Sequence, residues 1–360
     1  QSESDALNFY SSVGWRSDST RLNVNYQYGV SELIGNGAAP TELLALDREA
    51  IFTGPDITEN DMQMASFDYE HEVSANISFG GNIFYRKNKT DSFNGDGSEF
   101  GICEFGGMDS LIDGLEDDDL EELGLDDDDI CESQFADADG LEDFLNTTAM
   151  AMGIDEAFHI EGFESDELSG TGLLADEAIN NLSNRSQEST GADFQWTFLG
   201  NFFGYEGQLV VGGAYFNGES TFDSVVELSR LDPITRLTTG LGTGTFVDEE
   251  ATLISTQTES TSIYFSNILD LTDALSLTLS ARGNYTNVDL RDRSGERPEL
   301  NGSHRFSRVN PAIGLTWQVN QDHNVYASYS ESSRAPTPIE LACNEGVFDL
   351  AVQYAIEDGE

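Results

Sequence analysis

The sequence predicts an all-β fold: an antiparallel transmembrane β-barrel, present in part, with one long acidic extracellular loop. Three observations carry this. Runs of apolar–polar alternation recur from one end of the chain to the other, and a period of two gives a strand one apolar and one polar face. The polar faces carry Asn, Gln, Thr and Arg along most of their length, which suits a wet lumen better than a packed core. The connections alternate between short and long, as in a barrel with tight turns on one side of a membrane and long loops on the other.

The strands follow in order. Ala6 to Arg16 sets Leu7, Phe9, Val13 and Trp15 on one side, and after the turn Ser17-Asp18-Ser19 the run from Arg21 to Tyr28 sets Leu22, Val24, Tyr26 and Tyr28 on one side. Together they read as a hairpin. A loop from Val30 to Met62 holds Gly35-Asn36-Gly37, Pro40 and Pro55, which mark turns. A second hairpin runs through Gln63–Glu72 and Asn76–Asn88. Asp91 to Glu188 then holds about thirty of the 67 acidic residues and a single arginine, Arg185. A loop of that length without structure is rare, so it reads as either a mini-domain or a mobile surface cap, with one or two brief helices in apolar segments such as Leu141–Leu145.

Alternation returns at Ala192–Leu199 and Gln208–Phe222, followed by a loop over Asp223–Glu250. Thr252–Leu269 and Leu275–Leu290 form the next pair. The last stretch, Ser307 to Cys343, holds two more strands around the turn Asn320 to His323. In it Pro311 cannot donate to a ladder, so a bulge or a place above the lipid is expected there. The divisions expected are barrel strands over 1–90, the acidic insertion over 91–188, barrel strands over 189–342, and the start of a truncated loop over 343–360.

Composition bounds the function. The net charge is −51 with only two lysines, Lys87 and Lys89. Such a field repels phosphate and excludes nucleic acid as a partner. No run of about 18 apolar residues is long enough for a membrane-spanning helix, and no leader of signal-peptide type opens the chain.

Several segments look familiar. RVNPAIGLTWQV, NVYASYSESSRAPTPIELAC, the stretch over 33–61 and IFYRKNKTDSFNGD (83–96) resemble the barrel of TonB-dependent outer-membrane receptors, with Ser333 to Leu341 the most specific part. The resemblance covers most of the chain outside the acidic insertion. It implies a 22-stranded barrel, of which about ten strands are expected here, filled by an N-terminal plug through which the TonB complex supplies energy. It implies the Gram-negative outer membrane as the location and outer-membrane lipid against the apolar faces. It also implies a small-molecule ligand such as a ferric siderophore. The sequence departs from the family in having no plug and no TonB-contact peptide, so it reads as a middle slice of a longer product. Expressed alone, such a slice should fail to insert as a stable barrel, because open edges in lipid leave backbone groups unsatisfied.

Candidate chemistry is sparse. Cys103 and Cys131 bracket the most acidic part of the insertion. On an oxidising cell surface a disulfide is expected, with two free thiols the alternative; closing that loop stabilises by roughly 3 kcal/mol. Cys343 lacks the partner that follows it in the resembling family. The runs Asp117–Asp119 and Asp126–Asp129 suit diffuse counterions, since neither has EF-hand spacing, and the EF-like Asn94-Gly95-Asp96 meets Phe105 where a bidentate Glu belongs. Gly240 to Gly244 precedes no helix and no lysine, which removes the phosphate-loop reading. The four histidines are scattered, so neither an enzyme, a cofactor nor a metal centre is expected. Ligand contacts are expected at strand ends and the upper lumen wall, from Tyr28, Arg48, Tyr85, Arg86 and Arg334, where an arginine can pair with a carboxylate-rich ligand. Two functions remain open: TonB-energised uptake, and a passive structural or adhesive barrel with a surface-binding acidic loop.

Overall fold

The computed structural model describes residues 3–35, 39–115, 120, 123–125, 130–131, 135–154, 158–163, 167–295, 297–338 and 340–341. The alternating runs become one antiparallel sheet. Its strands are β1 (Glu3–Arg16), β2 (Thr20–Gly35), β3 (Asp56–Ser74), β4 (Ile77–Gly97), β9 (Ala178–Phe202), β10 (Tyr205–Ser229), β11 (Gly242–Thr272), β12 (Leu275–Asp292), β13 (Gly302–Gln318) and β14 (Asn324–Ser330), each paired with the next in this order. The turns at 17–19, 75–76, 203–204, 273–274 and 319–323 all lie at one end, and the long connections at the other.

Register makes the two faces continuous. Val13, Val24, Phe67, Ile83, Ala192, Tyr215, Thr261 and Tyr285 are successive ladder partners, as are Trp196, Val211, Phe265 and Ala281. Partners in an antiparallel ladder share a face, so the apolar sets of all ten strands merge into one band. Among the described residues nothing covers it: Val13 is 70% and Ile263 71% exposed.

The strands are longer than the alternation suggested. The loop expected over 30–62 shrinks to 36–55, that over 223–250 to 230–241, and the insertion over 91–188 to 98–177. In these upper reaches polar residues stand on both faces, so the two-residue signal fades while the backbone ladder continues: Val30 to Gly35 pairs in register with Asp61 to Asp56. At about 3.3 Å per residue β10, with 25 residues, is roughly 80 Å long, whereas about ten residues cross a hydrocarbon core. More than half of β10 therefore stands beyond the apolar band.

Pro311 sits in register opposite Ala281 with no bulge, and its row, through Phe265, Val211 and Trp196, belongs to the apolar band, so it takes neither of the two places expected for it. Its carbonyl accepts from Glu331 N (3.0 Å) on the β14 side. In an antiparallel strand the N–H and C=O of one residue point the same way, so the missing donor falls just where pairing with β14 ends. No β12–β13 bond is lost.

The insertion is a mini-domain with its own core. Strands β5 (Gly101–Phe105), β6 (Met108–Asp113) and β7 (Glu161–Gly162) form a small sheet beside helix α2 (Ala138–Met152). Asp137 caps α2 by accepting from Gly140 N at 2.9 Å, and Gly153 ends it in the left-handed conformation (φ 79°). Leu141, Leu145 and Ala149, one helical turn apart, are buried against Cys103, Ile112, Leu120 and Ile160. The structure joins Cys103 to Cys131 in a disulfide at a separation of 28 residues. A second cluster, Leu111, Phe163, Leu228 and Val247, docks the mini-domain on the tops of β10 and β11, and β8 (Leu168–Gly170) adds to the edge of β11. By register Leu228 pairs with Ile179, and Ile179 with Asp96, on the polar side of the sheet. The mini-domain thus leans over the polar face.

On the opposite side the loops 39–55 and 230–241 meet. Arg236 Nε donates to Phe52 O (2.8 Å) with its guanidinium over the Phe52 ring, and Thr238 N donates to Gly54 O (2.8 Å). Gly95 of β4 lies beneath them, and a Cβ there would stand 2.1 Å from Thr238 Oγ1, which is why only glycine fits.

Candidate functional site: the polar face of the sheet

The polar face changes character with height. Near the short turns it holds charged groups of both signs, each tied into a side-chain hydrogen bond. Arg21 Nη1 bonds Glu70 at 2.9 Å, Asn25 and Asn82 each donate to Asp68 (2.7 and 2.6 Å), and Arg282 bonds Ser262 (2.7 Å) beneath the Tyr264 ring.

Higher up the acids stop. In every ladder row from the one through Ser12, Asn25, Ser66 and Phe84 to the one through Leu33, Thr58, Ser92 and Ser183, no Asp or Glu faces this side between β1 and β11. Neutral donors and acceptors fill the space: Thr90 Oγ1 donates to Asn60 Oδ1 (2.8 Å), Asn88 Nδ2 to Thr90 Oγ1 (3.3 Å), and Ser92 and Ser183 share a 2.6 Å bond. Two arginines complete the patch. Arg86 lies between Met64 and Ser189, and Arg185 between Thr90 and Phe222. Both are exposed, and among the described residues neither makes a side-chain hydrogen bond or ion pair.

Aromatic rings lie flat in the same region. A Cβ at Gly191 would meet the Phe84 ring at 2.3 Å, and one at Gly218 the Phe216 ring at 2.9 Å, so each glycine is the bed of a neighbouring ring. The acid of these rows beyond β11, Asp292, is occupied by its own loop. It accepts from Ser294 Oγ (2.7 Å) and from the backbone N–H groups of Ser294, Gly295 and Arg297, and the Ser294 hydroxyl chiefly holds its carboxyl below the usual range.

The other face at the same height is the reverse. Asp5, Glu32, Glu59 and Asp91 are successive partners there, and Glu188 adjoins Glu219. Lys87 and Lys89 lie on that face, paired with Glu188 (2.7 Å) and Asp91 (2.8 Å).

Residues 4–355 match the family model described as TonB dependent receptor-like, beta-barrel. The chain belongs to the TonB-dependent receptor β-barrel family. Solved structures with the same fold include the unliganded ferric citrate transporter FecA, with a TM-score of 0.58, 11% identity, and coverage of 91% of this chain and 36% of that one. The open form of the ferric-catecholate import receptor Fiu from E. coli K12 gives 0.59, 13%, 94% and 48%. The siderophore receptor PiuA from Acinetobacter baumannii gives 0.53, 13%, 91% and 42%. The chain therefore spans less than half the length of these structures. No curated protein matches the sequence.

As a TonB-dependent receptor barrel wall, the sheet turns its apolar band to lipid and its polar face to the lumen. That assignment sorts the residues expected at a ligand site. Tyr28 partners Phe9, and Tyr85 partners Ala65 and Thr190, on the lipid side. Both rings therefore belong with the interfacial aromatics rather than the lumen wall. Arg86 faces the lumen. Arg48 lies in the turn after the short helix α1 (Thr41–Leu46). Arg334 is already engaged as a fork on both oxygens of Glu340. Asp117–Asp119, Asp126–Asp129 and Cys343 fall outside the described residues. Arg185, counted in the sequence only as the lone base of an acidic stretch, emerges as a lumen residue because β9 begins as early as Ala178.

Proposed function

We propose that this chain is the barrel wall of an outer-membrane receptor that imports a scarce nutrient, with energy from the TonB complex delivered through a plug in the lumen. The cargo on this reading is a ferric siderophore. Short turns face the periplasm and long loops the exterior, as in barrels generally. The observation that carries the reading is the family match over 4–355, supported by a mini-domain that leans over the lumen face and by a wet, hydrogen-bonding wall beneath it. Similar folds carry names that speak of ferric citrate, ferric catecholate and siderophores, and one is a copper transporter. Arg86 is a ligand contact on this reading, with Arg48 and Arg334 at the loop end; Arg334 can take part only by leaving Glu340. The test is uptake of iron-55 chelates by iron-starved cells with and without the gene. Gene-dependent uptake that stops when the TonB complex is deleted supports the reading. Indifference to iron would sink it, and lost surface adhesion with intact uptake would favour the passive barrel.

A further inference from the structure

We infer that the acid-free patch around Arg86 and Arg185 is a binding site for a small organic anion bearing two or more carboxylate-type groups. This rests on the lumen assignment above and names the charge class of the cargo. The argument is one of distribution. In a chain with 67 acidic residues, a patch spanning seven paired strands would ordinarily contain several. Here they are displaced to the lipid-side face at the same height, where Asp5, Glu32, Glu59 and Asp91 follow one another. The lysines there are neutralised by Glu188 and Asp91. Among the described residues Arg86 and Arg185 are left exposed and without a side-chain partner.

An exposed arginine costs little when solvated, but a guanidinium beside no carboxylate is a fork with nothing to hold. Arg185 stands one strand over from Thr90, four residues above Arg86. That places the two roughly 14 Å apart at the backbone, a gap that two arginine side chains narrow to the width of one small chelate. Between them lie Asn88, Gln187 and Ser189, which can donate to further oxygens. The Phe84 ring beside Arg86, flat on Gly191, offers a planar apolar surface to the body of the ligand.

The test uses the full outer-membrane protein that carries this chain, purified in detergent, with heat-modifiable migration showing that each variant folds. The probes are citrate, its ferric chelate, the neutral ferric hydroxamate ferrichrome and the cationic ferrioxamine B, titrated by calorimetry. One or both citrate species bind, and Arg86→Gln and Arg185→Gln each weaken binding by roughly ten- to a hundredfold. Arg86→Lys recovers part of that loss, since it restores the charge without the fork. Arg291→Gln removes an arginine from the lipid-side face and leaves affinity unchanged. Preference for a neutral or cationic chelate, no binding of either citrate species, or wild-type affinity in both glutamine variants overturns the inference. So does a loss of ligand-free thermal stability without a loss of anion affinity, which would mean that the arginines hold an acidic segment of the protein itself. Citrate binding without iron-linked uptake upholds the anion site and refutes the siderophore reading; iron uptake with no anion bound does the reverse.

Discussion

Leu228→Ala should undock the mini-domain without unfolding either it or the barrel. Leu228 is 0% exposed and packs with Leu111, Phe163 and Val247. Truncating a leucine so enclosed costs about 2–5 kcal/mol, depending on how far the cavity collapses. β10 is laddered to β9 along its whole length and to β11 along most of it. Those backbone bonds do not depend on the side chain, so the cost falls on the docking contact. The docked-to-undocked ratio should therefore drop by roughly thirtyfold to a few thousandfold. Amide exchange read by mass spectrometry separates the outcomes. Exchange should speed up over Leu168–Gly170 and along its partners Thr245–Val247, yet stay slow in α2, whose core of Leu141, Leu145 and Ala149 is independent of Leu228. Phe163→Ala combined with Leu228→Ala should cost less than the sum of the two, by about 0.5–3 kcal/mol. Faster exchange throughout β10 with unchanged exchange over Leu168–Gly170 would refute the reasoning, because Leu228 would then be stabilising the strand.

Two further outcomes follow from the same region. Replacing Cys103 and Cys131 by serine should destabilise the mini-domain by about 3–4 kcal/mol from loop closure alone, seen as earlier cleavage within 98–177 by protease while the barrel strands resist. Glu249 of β11 is held above the usual carboxylate range, first by burial and then by the Glu167 and Glu161 carboxylates. A raised carboxyl binds more proton in the folded state, so its contribution is most favourable at low pH and is lost as the pH rises through the shifted value. Docking should accordingly tighten between pH 7 and 5 in exchange measurements, and Glu249→Gln should give the tighter state at both pH values; a Gln variant with the wild-type pH response would count against this.

Much of the fold was legible because alternation needs no tertiary knowledge. Leu275 to Tyr285 shows its faces in the sequence, and those faces survive in the register. The upper strands were not legible for a physical reason. A ladder such as Glu59–Asp91 to Asn184 is held by backbone bonds and carries polar residues on both sides, so it has the composition of a loop. The site was legible only in part. Alternation already sets Tyr28 with Leu22, Val24 and Tyr26 on the apolar side, so a place near a strand end was a poor guide to a ligand role, and the register keeps Tyr28 and Tyr85 on the lipid face. Arg185 looked like part of a cap, and the absence of acid around it is a property of register that no single segment shows. The mini-domain lay between these cases. The spacing of Leu141 and Leu145 hinted at a helix, but the docking of Leu111 and Phe163 on Leu228 joins residues far apart in the chain.

The mini-domain begins and ends at one spot. Gly97, the last residue of β4, and Ala178, the first of β9, are ladder partners. Roughly eighty residues thus leave and return through a doorway one strand spacing wide, the geometry at which whole domains are most readily inserted or removed. To the sheet, everything between is an appendix on what is otherwise a hairpin. A two- to four-residue turn joining Gly97 to Ala178 would leave the pairing of β4 with β9 intact, and a different folded module could be spliced there instead. The seam marks where such a barrel can exchange the module it carries without renegotiating a single strand.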